Sequence, residues 1–113
     1  MSINAEQALQ RSIALRGETV SLQLRGQEPV SIKALIGSTE FAQEASSPGE
    51  VPLVISKTTD FLVDLATTPT ITRTTLLTFN GQRFRPVATN SEPVIRDCGR
   101  HGLCGRIHTV RVK

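Results

Sequence analysis

The dipeptide Asn80-Gly81 lies between Thr75-Leu76-Leu77-Thr78-Phe79 and Gln82-Arg83-Phe84-Arg85-Pro86-Val87, and it constrains the fold more than any other feature of the chain. A two-residue type I′ turn needs positive φ at both central positions, and Asn-Gly meets that need at low steric cost. With such a turn Phe79 faces Gln82 and Leu77 faces Phe84. Leu77, Phe79 and Phe84 then share a buried face, while Thr78, Arg83 and Arg85 point outward. A second hairpin follows from alternation upstream: Val20, Leu22 and Leu24 alternate with polar neighbours, Gly26 to Pro29 make a turn, and Val30, Ile32, Ala34 and Ile36 alternate again. Composition agrees, because Val, Ile and Thr number 9, 8 and 13 of 113 residues and β-branched side chains suit a pleated, half-buried surface.

Ahead of the hairpins, Asn4 and Gln7 resemble a capping box, Ala5, Ala8, Leu9, Ser12 and Leu15 lie along one stripe, and Gly17 supplies a stop. This predicts a helix over about 4–15, too short to persist without docking. Downstream, 53–57 reads as a strand, Thr58 or Thr59 caps a helical turn containing Asp60, Phe61, Leu62, Asp64 and Leu65, and 71–88 is extended around the Asn-Gly turn. Residues 106–113 form a last strand with His108, Val110 and Val112 on one face. Between them, 37–52 loses both periodicities and gathers small, acidic and turn residues, which reads as a long loop, mobile until it meets a partner. Residues 1–113 therefore read as one mainly β domain: a small five- to six-stranded antiparallel β-barrel or compact sandwich with one N-terminal helix and a long mobile loop.

Charge and motifs narrow the function. The formal net charge is +3, yet residues 1–65 carry five basic and eight acidic side chains against eight and two in 66–113, which gives the molecule an electrical polarity. No apolar run approaches the ~20 residues that span a bilayer, so no membrane partner is expected. The N-terminus lacks the basic start and apolar run of a secretory signal, which predicts synthesis in the cytoplasm. Asp60 and Asp64 at i, i+4 read as solvated, Asp97-Cys98 near His101 lacks partners from separate elements, and no phosphate-cradling glycine motif occurs, so neither enzyme activity nor a cofactor is predicted. Cys98-x2-His101-x2-Cys104-x3-His108 supplies four potential zinc ligands in 11 residues. Zinc sites usually join such a knuckle to a distant segment, so no metal is assigned; a Cys98–Cys104 disulfide, two reduced thiols and a core role for His108 stay open. Seven arginines in the basic half suit phosphate, and a barrel that binds nucleic acid non-specifically is the alternative function.

The order of parts resembles a known family. Leu53-Val54-Ile55-Ser56 before Asp60-Phe61-Leu62, then Leu77-Thr78-Phe79-Asn80-Gly81-Gln82-Arg83-Phe84-Arg85-Pro86-Val87, then a Gly105-led terminal strand are similar to the small head–tail joining (stopper or neck) proteins of long-tailed bacteriophages, of the lambda type. Arg73-Thr74 stands where that family often has Gly-Asp, and the segment from Arg96 to Gly105 with its two cysteines is not among the features that carry the resemblance. The resemblance implies a virion protein at the neck, a β-barrel subunit that forms a hexameric ring with itself. It would sit between a portal adaptor and a tail terminator, retain packaged DNA without reading its sequence, and offer the tail its attachment surface. On that reading Glu40, Phe41 and Glu44 of the long loop, with Leu9 and Ile13 of the helix, face neighbouring subunits or the adaptor, and Arg83 and Arg85 approach the DNA channel.

Overall fold

Asn80 and Gly81 both take left-handed backbone, with φ of 53° and 75°, and close the predicted hairpin in register: Leu77 opposite Phe84 and Phe79 opposite Gln82. The computed structural model describes residues 3–44, 53–88 and 93–112. The elements in chain order are helix α1 (Ile3–Arg16) and strands β1 (Glu18–Gln23), β2 (Val30–Glu44), β3 (Leu53–Asp64), β4 (Leu76–Phe79), β5 (Gln82–Pro86), β6 (Arg96–Asp97) and β7 (Cys104–Val112). All strand pairings are antiparallel. The order β3-β2-β1-β4-β5-β7 is closed by pairing of β7 with β3, and the short β6 pairs with the start of β7 along the edge that β5 uses further on. Six strands thus close into a barrel, which removes the sandwich reading.

Alternation fills the interior as expected. Val20, Leu22, Ile32, Ala34, Phe61, Val63, Ile71, Leu77, Phe84 and Ile107 form the core. Phe61 stands at its centre, edge-on to Phe84 at 5.4 Å and to Phe79 at 6.3 Å between ring centroids. Such edge-to-face pairs contribute about 1 kcal/mol each beyond the area they bury.

Four expectations are corrected. First, residues 37–44 are strand rather than loop, because β2 runs on to Glu44 and pairs with β3 from Ala34 opposite Val63 to Glu44 opposite Leu53. The alternation was hidden since Gly37, Ser38 and Thr39 are small or polar on both faces; residues 45–52 lie outside the described residues. Second, the turn expected around Asp60 does not form: β3 continues through Asp64 because strands on both sides, β2 and β7, satisfy its backbone. Third, extended structure over 71–88 begins only at Leu76, after a turn in which Thr72 N–H donates to Thr75 Oγ1 at 2.9 Å and Thr75 N–H to Thr72 O at 3.1 Å.

Fourth, the helix buries a different stripe. Glu6 and Ile13 are its buried residues, Leu9 and Gln10 are half-buried, and Leu15 is 85% exposed. Ile13, expected at a partner interface, is 1% exposed and belongs to the chain's own interior. The helix crosses the outside of the wall formed by β2, β3 and β7, and Gly17 N–H donates to Ile13 O at 2.9 Å to end it. One carboxylate on the buried stripe hides it from a hydrophobicity count, since Glu6 replaces an apolar side chain at the i−7 position from Ile13.

Candidate functional site

Alternation along β3 and β7 sends Phe61, Val63 and Ile107 inward and Asp60 and His108, which face each other across the two strands, to the outer side of the wall. Asp60 is nonetheless 0% exposed. Its Oδ1 accepts hydrogen bonds from His108 Nδ1 at 2.8 Å and Thr58 Oγ1 at 2.7 Å, its Oδ2 accepts one from Thr39 Oγ1, and Arg106 Nε stands 3.7 Å from Oδ2. Burial pushes the Asp60 carboxyl up, but the bonds from Thr39, His108 and Thr58 outweigh it and hold the group below its ordinary range. The charge is therefore retained at neutral pH and shared among donors from β2, β3 and β7. Thr58 and His108 both spend a donor on the same carboxylate oxygen, and with Thr39 on the other oxygen the arrangement ties β2, β3 and β7 together.

A second cluster fastens the helix. Glu6, 0% exposed, accepts the His101 backbone N–H on Oε1 at 3.2 Å and His101 Nδ1 on Oε2. Gly99 makes the approach possible, since a Cβ there would meet the Glu6 carboxyl group at 2.6–2.9 Å. Burial raises the Glu6 carboxyl, and the side-chain and backbone bonds from His101 bring it net below its usual value. Beside it, Gln10 Nε2 donates to Asp64 Oδ1 at 3.0 Å, and Cys104 Sγ lies 3.8 Å from Glu6 O as a weak donor. Helix α1 is thus held by polar contacts to the 98–104 loop and the end of β3 as well as by Ile13.

The four potential zinc ligands are not brought together. His101 turns to Glu6 and His108 to Asp60, and among the described residues no group of three or more metal-ligating side chains converges. Cys98, half-buried, and Cys104, buried, are free thiols. Arg83 and Arg85 are exposed on β5 as expected. Arg85 lines an open groove of about 360 Å³ with Gln23, Arg25, Thr74 and Leu76. Glu40 is exposed on β2, and Phe41 and Glu44 occupy β2 positions opposite Ser56 and Leu53. Sequence reading missed Glu6 and Asp60 as buried anchors. For Glu6 the signal was its spacing from Leu9, Gln10 and Ile13, and for Asp60 it was the run of strand formers on both sides.

Among the described residues, β2 beyond Ala34 pairs only with β3, and β3 before Thr59 pairs only with β2. Thr39–Glu44 and Leu53–Thr58 therefore leave the barrel as a two-stranded ribbon whose outer edges are both unpaired among the described residues. No described helix is long and apolar enough to cross a membrane. The described architecture is thus a closed barrel with a helix clasped to its wall and a projecting ribbon. The family model for the phage head-tail joining protein matches residues 1–113, and the chain belongs to that family. Its role is accordingly structural, in joining phage head to tail at the virion neck. A comparison with curated proteins found no match.

Proposed function

We propose that the chain works as one subunit of a ring, hexameric on the earlier resemblance, at the head–tail junction, where it helps retain DNA and gives the tail its attachment surface. The observation that carries this reading is the β2–β3 ribbon. A lone two-stranded ribbon is marginal in water, so one that leaves its barrel with both edges unpaired among the described residues is best explained by a neighbour that receives it. Glu40, Phe41 and Glu44 lie on this ribbon, and Leu9 is half-exposed on the helix, which makes these the subunit or adaptor contacts in the proposal. The unequal charge of the two halves of the chain suits head-to-tail contact around a ring. Arg83 and Arg85, exposed on a rigid strand, are assigned to the DNA side.

The test mixes purified protein with DNA-filled, tail-less heads and with tails, and counts infectious particles. Removing residues 40–57 should leave the barrel folded and abolish joining; joining at normal yield overturns the ribbon's role. R83E/R85E should fold normally and let DNA escape from filled heads, and unchanged retention removes those residues from the DNA side. The groove holding Arg25 and Arg85 favours one second reading, direct non-specific contact with nucleic acid by the free subunit. Tight filter binding by the monomer that falls steeply with salt would favour it.

A further inference from the structure

Rungs Arg96–Arg106 and Asp97–Gly105 pair β6 with β7, and the next is closed by Cys98 N–H donating to Cys104 O at 3.1 Å. Cys98 and Cys104 therefore stand opposite each other on two antiparallel segments. Directly opposed residues of this kind point their side chains to the same face and have Cα atoms about 4.5–5.5 Å apart. A disulfide spans about 4.4–6.8 Å between Cα atoms, so the backbone already holds the pair within reach. Cys104 Sγ also lies against helix α1, 3.8 Å from Glu6 O, and the Glu6 charge adds to the burial that raises the Cys98 thiol.

We propose that Cys98 and Cys104 are a disulfide-forming pair, oxidised by a small-molecule disulfide to a cross-strand bridge that closes the 98–104 loop against helix α1. The Cys98 thiolate attacks one sulfur of the reagent and expels a thiolate. The Cys104 thiolate then attacks the Cys98 sulfur of the mixed disulfide and expels the second. Two protein thiols give up two protons and two electrons, and the reagent leaves as two thiols. Cys98 is the point of entry because it is half-buried while Cys104 is covered. Burial pushes both thiols up, Cys104 to about 11, so the exchange is slow near neutral pH and a reducing cell keeps the pair as a dithiol.

The bridge bears on the helix because the loop it closes carries His101, whose ring and backbone hold Glu6. Oxidation therefore fixes the clasp that keeps α1 on the barrel. The moment at which it would act, after virions leave the reducing cell, rests on the head–tail reading; the thiol chemistry does not.

The experiment incubates the purified full-length chain with oxidised glutathione at pH 8, beside C98S. In the wild type both thiols should disappear from titration under denaturing conditions, with a monomer mass lower by two hydrogens. The thermal midpoint should rise by about 5–10 °C, reversed by dithiothreitol, and amides of α1 should exchange more slowly. C98S should show none of these changes. Two thiols still titratable, a product arrested as the glutathione adduct, a disulfide-linked dimer, or the same midpoint shift in C98S each overturn the proposal. None of these outcomes depends on whether the chain joins heads to tails.

Discussion

His108 Nδ1 donates to Asp60 Oδ1 at 2.8 Å between residues directly opposed on β3 and β7, on the outside of a barrel whose inside at the same level is filled by Phe61 and Ile107. A buried carboxylate on the outer wall is unusual, and it survives because donors from three strands meet it. Removing it strands those donors. D60A should lower stability by about 2 kcal/mol, read as a shift in the urea midpoint without change in slope, with D60N losing less because it keeps part of the network.

Acid should expose the same network. Asp60 and Glu6 both have carboxyl groups held below their ordinary values in the folded protein. A group depressed in this way stabilises the fold fully above its unfolded pKa, near 4 for a carboxyl, and the contribution is lost as pH falls through the folded value. Urea midpoints should therefore be level from about pH 7 to pH 5 and then decline toward pH 2. D60N should flatten part of that decline; a D60N profile parallel to the wild type would show that the charge of Asp60 is not what acid removes.

Phe61 touches both other core aromatics, so its loss opens a cavity at the barrel's centre. F61A should cost about 4 kcal/mol and F61L about 1–2 kcal/mol in equilibrium unfolding. The cost that remains in F61L measures how far the ring geometry, beyond apolar volume, holds the six strands closed.

Helix α1 should come loose before the barrel does. In G99A the new methyl group meets the Glu6 carboxyl and displaces it from His101. Hydrogen exchange should quicken across Ile3–Arg16 while amides of β1, β4 and β5 keep their protection. Uniform quickening throughout the chain would mean that helix and barrel unfold as one unit.

The turn at Asn80-Gly81 offers a control remote from both polar clusters. G81V places a β-branched residue at φ 75° and should destabilise by about 2 kcal/mol or more, with no change in the exchange of α1 relative to the barrel.

Much of the architecture was legible because it follows from local rules. Alternation located Val20, Leu22, Ile32, Ala34, Leu77 and Phe84 in the core, and the Asn-Gly pair set the register of β4 and β5. The polar clusters were not legible. Asp60 reads as the first turn of a helix after two threonines, and only the arrival of β2 and β7 on either side makes it a strand residue with Thr39, Thr58 and His108 around it. Glu6 lies off the expected stripe of Ala5, Ala8, Leu9, Ser12 and Leu15, and its partner, His101, is 95 residues away in the chain.

What the sequence determined by itself is everything set by neighbours a few residues apart: the strand period, the Asn-Gly turn, the presence and limits of the helix, and the likeness to head–tail joining proteins. Tertiary structure alone decided the closure of the barrel through β3 and β7, the outward growth of the β2–β3 ribbon, which helix face is covered, and where His101 and His108 spend their donors. The physical reason is distance along the chain. Periodicity and turn geometry are written into adjacent residues, whereas a buried charge is stable only where groups from remote segments converge on it, and that convergence exists only in the folded molecule.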